Sequence, residues 1–155
     1  MKIEIPGHEP IELKHLVLDF NGTLAVDGAL IDGVHSLLNI LSAELHVHVI
    51  TADTFGSVDC AMEGISCQVY VINPFDQDKQ KELYVNQLGR NHVIAIGNGR
   101  NDMLMLQAAV IGIALIQKEG AYASLISVAD VLCSSIVDAL ELLLNPLRLK
   151  ATLRN

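Results

Sequence analysis

Asp19 closes the apolar run HLVLD and is followed at once by Phe20-Asn21-Gly22-Thr23. A carboxylate at a strand end, beside a glycine that lets the backbone turn tightly over a ligand, can serve as a nucleophile toward phosphorus or as a ligand for Mg²⁺. An aspartate that only caps a loop is the plainer alternative. Thr51 closes a second run, HVHVIT, where its hydroxyl and the amide of Ala52 just beyond could hold a phosphoryl oxygen; a threonine that only caps the strand is the plainer alternative. Lys79 and Lys81 stand near the start of the helical stretch DQDKQKELYVNQLG, against the dipole preference for acidic groups there. One of them is therefore a candidate to face a phosphate and a carboxylate, and the other a solvated helix face. The loop GNGRND ends a further apolar run and offers Asn98, Asn101 and Asp102. A carboxylate leading an otherwise apolar helix calls for solvation, a ligand or an N-cap role.

These residues need a scaffold that brings strand ends together. Short β-branched runs at 15–20, 46–51, 67–72, 92–98, 110–115 and 129–133 alternate with helical patterns at 32–44, 56–63, 76–89, 100–109 and 120–128, and a last helix starts near Ser135. Apolar runs of this length, bounded by Gly, Asn and Asp, suit strands buried on both faces, joined by right-handed helical crossovers. The pattern predicts an α/β fold with one doubly wound, Rossmann-like parallel sheet, whose ligands gather at the carboxyl ends of the strands. Residues 1–13 read as an edge strand or hairpin ahead of that sheet. About ten residues separate Asn21 from the helix near Asp32, too few for an inserted second domain. A single domain over 1–155 is the reading.

Bulk properties narrow the chemistry. Apolar residues make up 51% and charged residues 18%, a globular composition, and the net charge of −8 opposes general affinity for nucleic acid or anionic membranes. A phosphorylated substrate would then need a local cation, most simply a metal. Cys60, Cys67 and Cys133 follow no metal-ligand spacing and read as reduced, partly buried thiols of a cytoplasmic protein. No signal peptide or membrane span is evident.

Taken together, DFNGTLA and GNGRNDMLML resemble the haloacid dehalogenase superfamily, and within it the soluble phosphatase-like relatives of the P-type ATPase phosphorylation domain. The resemblance runs from about Leu16 to Leu143. It implies a fold without a cap domain, Mg²⁺ dependence and a covalent aspartyl-phosphate. It also implies roles. Asp19 would be the nucleophile, with its other oxygen and the carbonyl of Asn21 on the metal. Thr51 would bind the transferring phosphoryl group and Lys81 would neutralise it, with Lys79 as second choice. Asn98, Asn101 and Asp102 would complete the metal and phosphate site, and Gly22 and Thr23 match the family's loop.

Two positions depart from that pattern. Relatives have Asp where this chain has Asn21, which can hydrogen-bond but cannot exchange a proton; loss of a general acid-base typically removes ~10²–10⁴ in rate. Asn98 stands where a metal-binding Asp is usual, one negative charge fewer for Mg²⁺. The leading expectation is an attenuated Mg²⁺-dependent phosphohydrolase acting on a phosphorylated small molecule or macromolecule. The alternatives are a non-catalytic phosphate-binding regulatory module, and a structural or interaction domain that could form a homo-oligomer, built on Leu142, Leu143 and Leu144. His46 and His48 share a strand face, but with no third ligand nearby they read as edge or partly buried histidines, as do His15 and His92.

Overall fold

The computed structural model describes residues 1–6, 9–52 and 57–154, with Ser57 described for its backbone alone. A six-stranded sheet runs through it, built from β3 (His15–Asp19), β6 (His46–Thr51), β7 (Cys67–Val71), β8 (Val93–Gly97), β9 (Ile111–Leu115) and β10 (Val131–Cys133). Every neighbouring pair in it is parallel, in the order β10-β9-β8-β3-β6-β7. Central strand β3 is buried on both faces, with Leu16, Val17 and Leu18 fully shielded. This is why its sequence is a continuous apolar run rather than an alternating one.

Alternation along β3 divides the core in two. Leu16 and Leu18 face α1 (Val34–Leu41), α2 (Ser57–Ala61) and α5 (Ile136–Leu144), packing with Val34, Leu38, Val58 and Leu140. Val17 faces α3 (Gln77–Leu88) and α4 (Met103–Ala108), packing with Val85, Met105 and Leu106. Helices thus cover both faces, the doubly wound arrangement. Between β3 and α1 the chain forms only a small hairpin, β4 (Ala25–Val26) with β5 (Ala29–Leu30), and no inserted domain. Asp27 and Gly28 at its tip both have positive φ, 51° and 78°, as a tight two-residue turn requires.

At the N-terminus β1 (Lys2–Ile3) pairs antiparallel with β2 (Ile11–Glu12), apart from the main sheet. Gly7 and His8, between them, lie outside the described residues, as does the expected helix start at Gly56.

Two expectations change in the C-terminal third. Only a 3-10 turn over Ala123–Ser127 forms where a helix over 120–128 was expected. Gly120 closes a turn onto Gln117 and the Tyr122 amide donates to the Asn98 carbonyl, so the first residues of that stretch are held in loop contacts. The last helix is two: α5, capped by the Ser135 hydroxyl, ends at Leu144, and α6 (Pro146–Leu153) starts with proline in its first turn, where the missing N–H is harmless. Leu143 is fully buried, and Leu142 and Leu144 pack partly on the core, so the leucine run covers the chain's own sheet. Among the described residues no helix is long and apolar enough to cross a membrane.

Candidate active site

From β3 the chain moves outward through β6 and β7, then returns to the other side of β3 to add β8, β9 and β10. The crevice at such a switch point, beyond the carboxyl ends of the strands, is where open α/β sheets bind ligands. Leu18 lies beside Ile96 in the β3–β8 register, so Asp19 and the Gly97–Asp102 loop flank this crevice.

Lys81 joins them. Its ammonium donates to Asp19 Oδ1 and to Asp102 Oδ1, both at 2.6 Å, from a side chain only 1% exposed. The reason is helical phase: Lys81 and Val85, four residues apart on α3, share the buried face. Lys79, two residues earlier, lies on the far side of the helix, exposed and paired with Asp76 at 3.2 Å. Its place as a candidate phosphate-binding lysine is therefore corrected: it does not enter the crevice.

Asp102 is fully buried and engaged at both oxygens. Oδ1 holds Lys81, while Oδ2 accepts the amides of Asn98 at 3.0 Å and Gly99 at 2.8 Å. Its carboxylate packs so closely over Gly97 that a Cβ there would meet Asp102 Cγ at 2.5 Å. Glycine before the loop is what lets the carboxylate fold back.

Across the crevice, Thr23 Oγ1 donates to Asn98 Oδ1 at 3.2 Å and Asn98 Nδ2 donates to the Gly120 carbonyl at 3.0 Å. Gly22, with φ 78°, lies against the Asn98 amide, where a Cβ would come within 2.5 Å. Thr51 is buried at the end of β6, one position past the residue aligned with Asp19, and Ala52 follows, half-buried. Asn21 is exposed at the mouth. Asn101 points elsewhere, its Nδ2 donating to Gln77 Oε1 at 2.8 Å and so tying the loop to the start of α3.

Electrostatics single out Asp19. Burial, then the Asp102 charge, raise its carboxyl from 3.8 to about 7, while Lys81 pulls the other way. Burial lowers Lys81, but Asp102 and Asp19 outweigh it and leave the ammonium firmly protonated. A cation near Asp19 would thus complete its ionisation. The Asp19 carboxylate and the Asn98 side-chain carbonyl stand at the crevice and could hold a cation through oxygen, the donor type expected here together with the Asn21 main-chain carbonyl. That set suits Mg²⁺, which is held by one or two carboxylates, water and substrate phosphate. Asp102, expected as a further metal ligand, already orients Lys81 and the loop, with three of the roughly four acceptor sites of its carboxylate taken by Lys81 and the amides of Asn98 and Gly99.

His15 and His46 start β3 and β6, and His92 immediately precedes β8, so all three stand at the amino ends of the strands, opposite this crevice. His48 is buried, with its Nε2 3.0 Å from His15 Nδ1 and its Nδ1 2.9 Å from the Tyr84 hydroxyl. No group of three or more His, Cys, Asp or Glu among the described residues could hold a metal. Gln117, which sequence reasoning passed over, donates from Nε2 to the carbonyls of Gly22 at 2.6 Å and Thr23 at 2.8 Å. The available signal was its place just beyond the end of β9, on the same rim as the other candidate residues.

No family model matches the chain. Uncharacterized protein MJ0073 of Methanocaldococcus jannaschii is 52% identical over 63 residues, 41% of this chain and 68% of that protein. The phospholipid-transporting ATPase tat-1 of Caenorhabditis elegans is 33% identical over 94 residues; these make up 61% of this chain but 7% of that protein. Among solved structures, the 3-deoxy-D-manno-octulosonate 8-phosphate phosphatase of Moraxella catarrhalis, in complex with magnesium, phosphate and the sugar acid, superposes with a TM-score of 0.67. Its identity is 20%, over 86% of this chain and 87% of that one. The cobalt-bound deoxy-D-mannose-octulosonate 8-phosphate phosphatase of Haemophilus influenzae gives 0.71 at 13% identity, over 87% and 89%. The chain therefore belongs to one family with MJ0073, and its fold is that of the haloacid dehalogenase superfamily.

Proposed function

We propose that the chain is a Mg²⁺-dependent phosphohydrolase that works through an aspartyl-phosphate on Asp19. The observation that carries this is the buried Lys81 bridging Asp19 and Asp102 at the switch-point crevice. A fully buried ammonium between two carboxylates is a poor stability device, since apolar residues of similar volume do as well or better. It is well suited to a site where a phosphoryl group arrives.

In the first step an Asp19 oxygen attacks phosphorus, the P–O bond to the leaving group breaks, and that oxygen takes the electron pair. Mg²⁺ would balance the charge of the phosphoryl oxygens and of Asp19. Lys81 holds Asp19 in place and neutralises charge beside it, while the hydroxyl of Thr51 binds a phosphoryl oxygen. Asn21 hydrogen-bonds the departing oxygen but cannot protonate it, so the proton comes from solvent. In the second step water attacks phosphorus and yields a proton to solvent as the Asp19–phosphorus bond breaks, releasing inorganic phosphate and the carboxylate. The substrate is a phosphate monoester of a small molecule or macromolecule. The sugar-acid phosphatases that share the fold act on a small one.

The test is p-nitrophenyl phosphate hydrolysis with and without Mg²⁺. Asp19→Asn should abolish it, and Asn21→Asp should raise it by ~10²–10⁴ if general acid-base catalysis is what is missing. A second reading, a phosphate-binding regulatory module, draws on Asn21 and Asn98 both being amides where a carboxylate would do more. Mg²⁺-dependent binding of phosphate without turnover, and no gain in Asn21→Asp, would select it.

A further inference from the structure

Gln117, the second residue beyond β9, uses both ends of its side-chain amide. Nε2 donates to the Gly22 and Thr23 carbonyls, and Oε1 accepts the Ile136 amide, the first of α5, at 2.9 Å. The turn that carries Gly22 and Thr23 uses its own amides internally. Those of Thr23, Leu24 and Ala25 all donate to the Phe20 carbonyl, and that of Gly22 donates to the Ala25 carbonyl. Gln117 thus clamps the turn by its carbonyls, immediately after Asp19 and Asn21.

The segment that Gln117 begins reaches the other side of the crevice. Gly120 N donates to the Gln117 carbonyl at 2.7 Å, closing a tight turn. Glu119 Oε1 accepts the Asp27 amide at 3.0 Å, holding the tip of the hairpin. Beyond the turn, the Gly120 carbonyl accepts from Asn98 Nδ2 at 3.0 Å, and the Tyr122 amide donates to the Asn98 carbonyl at 2.9 Å. A single strap over residues 117–122 therefore grips the nucleophile turn at one end and the Asn98 loop at the other.

We propose that Gln117 is a positioning residue, resting on the phosphohydrolase reading above. Through this strap it sets the distance between the Asp19–Asn21 turn and the Asn98–Asp102 loop, so that the oxygen donors and the nucleophile stay in register. The side chain suits the task chemically. Glutamate would set a carboxylate against two carbonyl oxygens, lysine could not accept from Ile136, and methionine would fill the space without the three hydrogen bonds.

The experiment compares wild type, Gln117→Met and Gln117→Glu, as full chains, in three measurements: p-nitrophenyl phosphate kinetics across pH, calorimetric titration with Mg²⁺, and thermal melting. Misplacement of reacting groups by about an ångström can cost ~10²-fold. Gln117→Met should therefore lose about that factor in kcat with KM held, and bind Mg²⁺ more weakly. In Gln117→Glu a protonated carboxyl can again donate to Gly22 or Thr23, so its rate relative to wild type should recover as pH falls. If Gln117→Met does not fold, that pH-dependent ratio decides. A melting shift with kcat of the folded protein unchanged, or a Gln117→Glu ratio flat in pH, overturns the proposal. If wild type shows no Asp19-dependent turnover, the phosphohydrolase reading fails and the Mg²⁺ titration decides this one: weaker binding by Gln117→Met supports it, and equal binding overturns it.

Discussion

Replacing Lys81 with methionine removes the cation between Asp19 and Asp102 while keeping most of the side-chain volume. Both carboxylates contact the ammonium at 2.6 Å, Asp102 is fully buried and Asp19 is 7% exposed, so neither can recover hydration easily. Breaking a buried ion pair from one side typically destabilises by about 3–5 kcal/mol, because the partner charge is left uncompensated. The loss should depend on pH. The Asp19 carboxyl already titrates in the fold at about 7, above its ordinary 3.8, so it binds protons more tightly when folded. Its contribution is fully present below about pH 4 and is lost as pH rises through 7. Without Lys81 the folded value rises further, and the window of loss extends above pH 7. Urea unfolding of wild type and Lys81→Met at pH 8 and pH 5.5 should therefore show the larger deficit at pH 8. Adding Asp19→Asn should return part of it. Lys79→Met, whose ammonium lies on the surface, should stay within about 0.5 kcal/mol of wild type at both values. A Lys81→Met deficit below about 1 kcal/mol, or one equal at both pH values, would refute this account of the buried triad.

Other consequences are as direct. Gly22→Ala forces a Cβ to within 2.5 Å of the Asn98 side chain at φ 78°, and should cost more than about 1 kcal/mol in urea unfolding; a neutral result would contradict the close packing across the crevice. Burial, then the charges of His15 and His46, lower His48 from 6.5 to about 4. Its contribution to stability is thus present above pH 6.5 and lost as pH falls through 4. His48→Asn should flatten the stability slope between those values, and an unchanged slope would assign it to other groups.

Much of the scaffold is legible in the chain because local pattern and burial agree. The continuous apolar run of β3 and its partner β8 can only be buried on both faces, and the polar residues that close them fall on one rim by topology. What stays hidden depends on contacts between distant segments. The choice between Lys79 and Lys81 turns on which side of α3 meets the sheet, a matter of packing rather than of residue type. Gln117 is an ordinary polar residue until β9 brings it beside Gly22, ninety-five positions away in sequence. The 120–128 stretch has helical composition, yet its first residues are held in turn contacts with Gln117 and Asn98. Asp27-Gly28 is a readable hairpin signal, but the flanking runs, two residues each, are too short to register as strands.

The central claim is that Asp19 carries the phosphoryl group. Its most direct test is intact-protein mass spectrometry of acid-quenched enzyme after mixing with p-nitrophenyl phosphate and Mg²⁺, followed by peptide mapping. The account predicts a gain of one phosphoryl group on the peptide containing Asp19, more persistent in wild type than in Asn21→Asp and absent from Asp19→Asn. Turnover with no such adduct in the pre-steady state, or an adduct that survives Asp19→Asn, would contradict it.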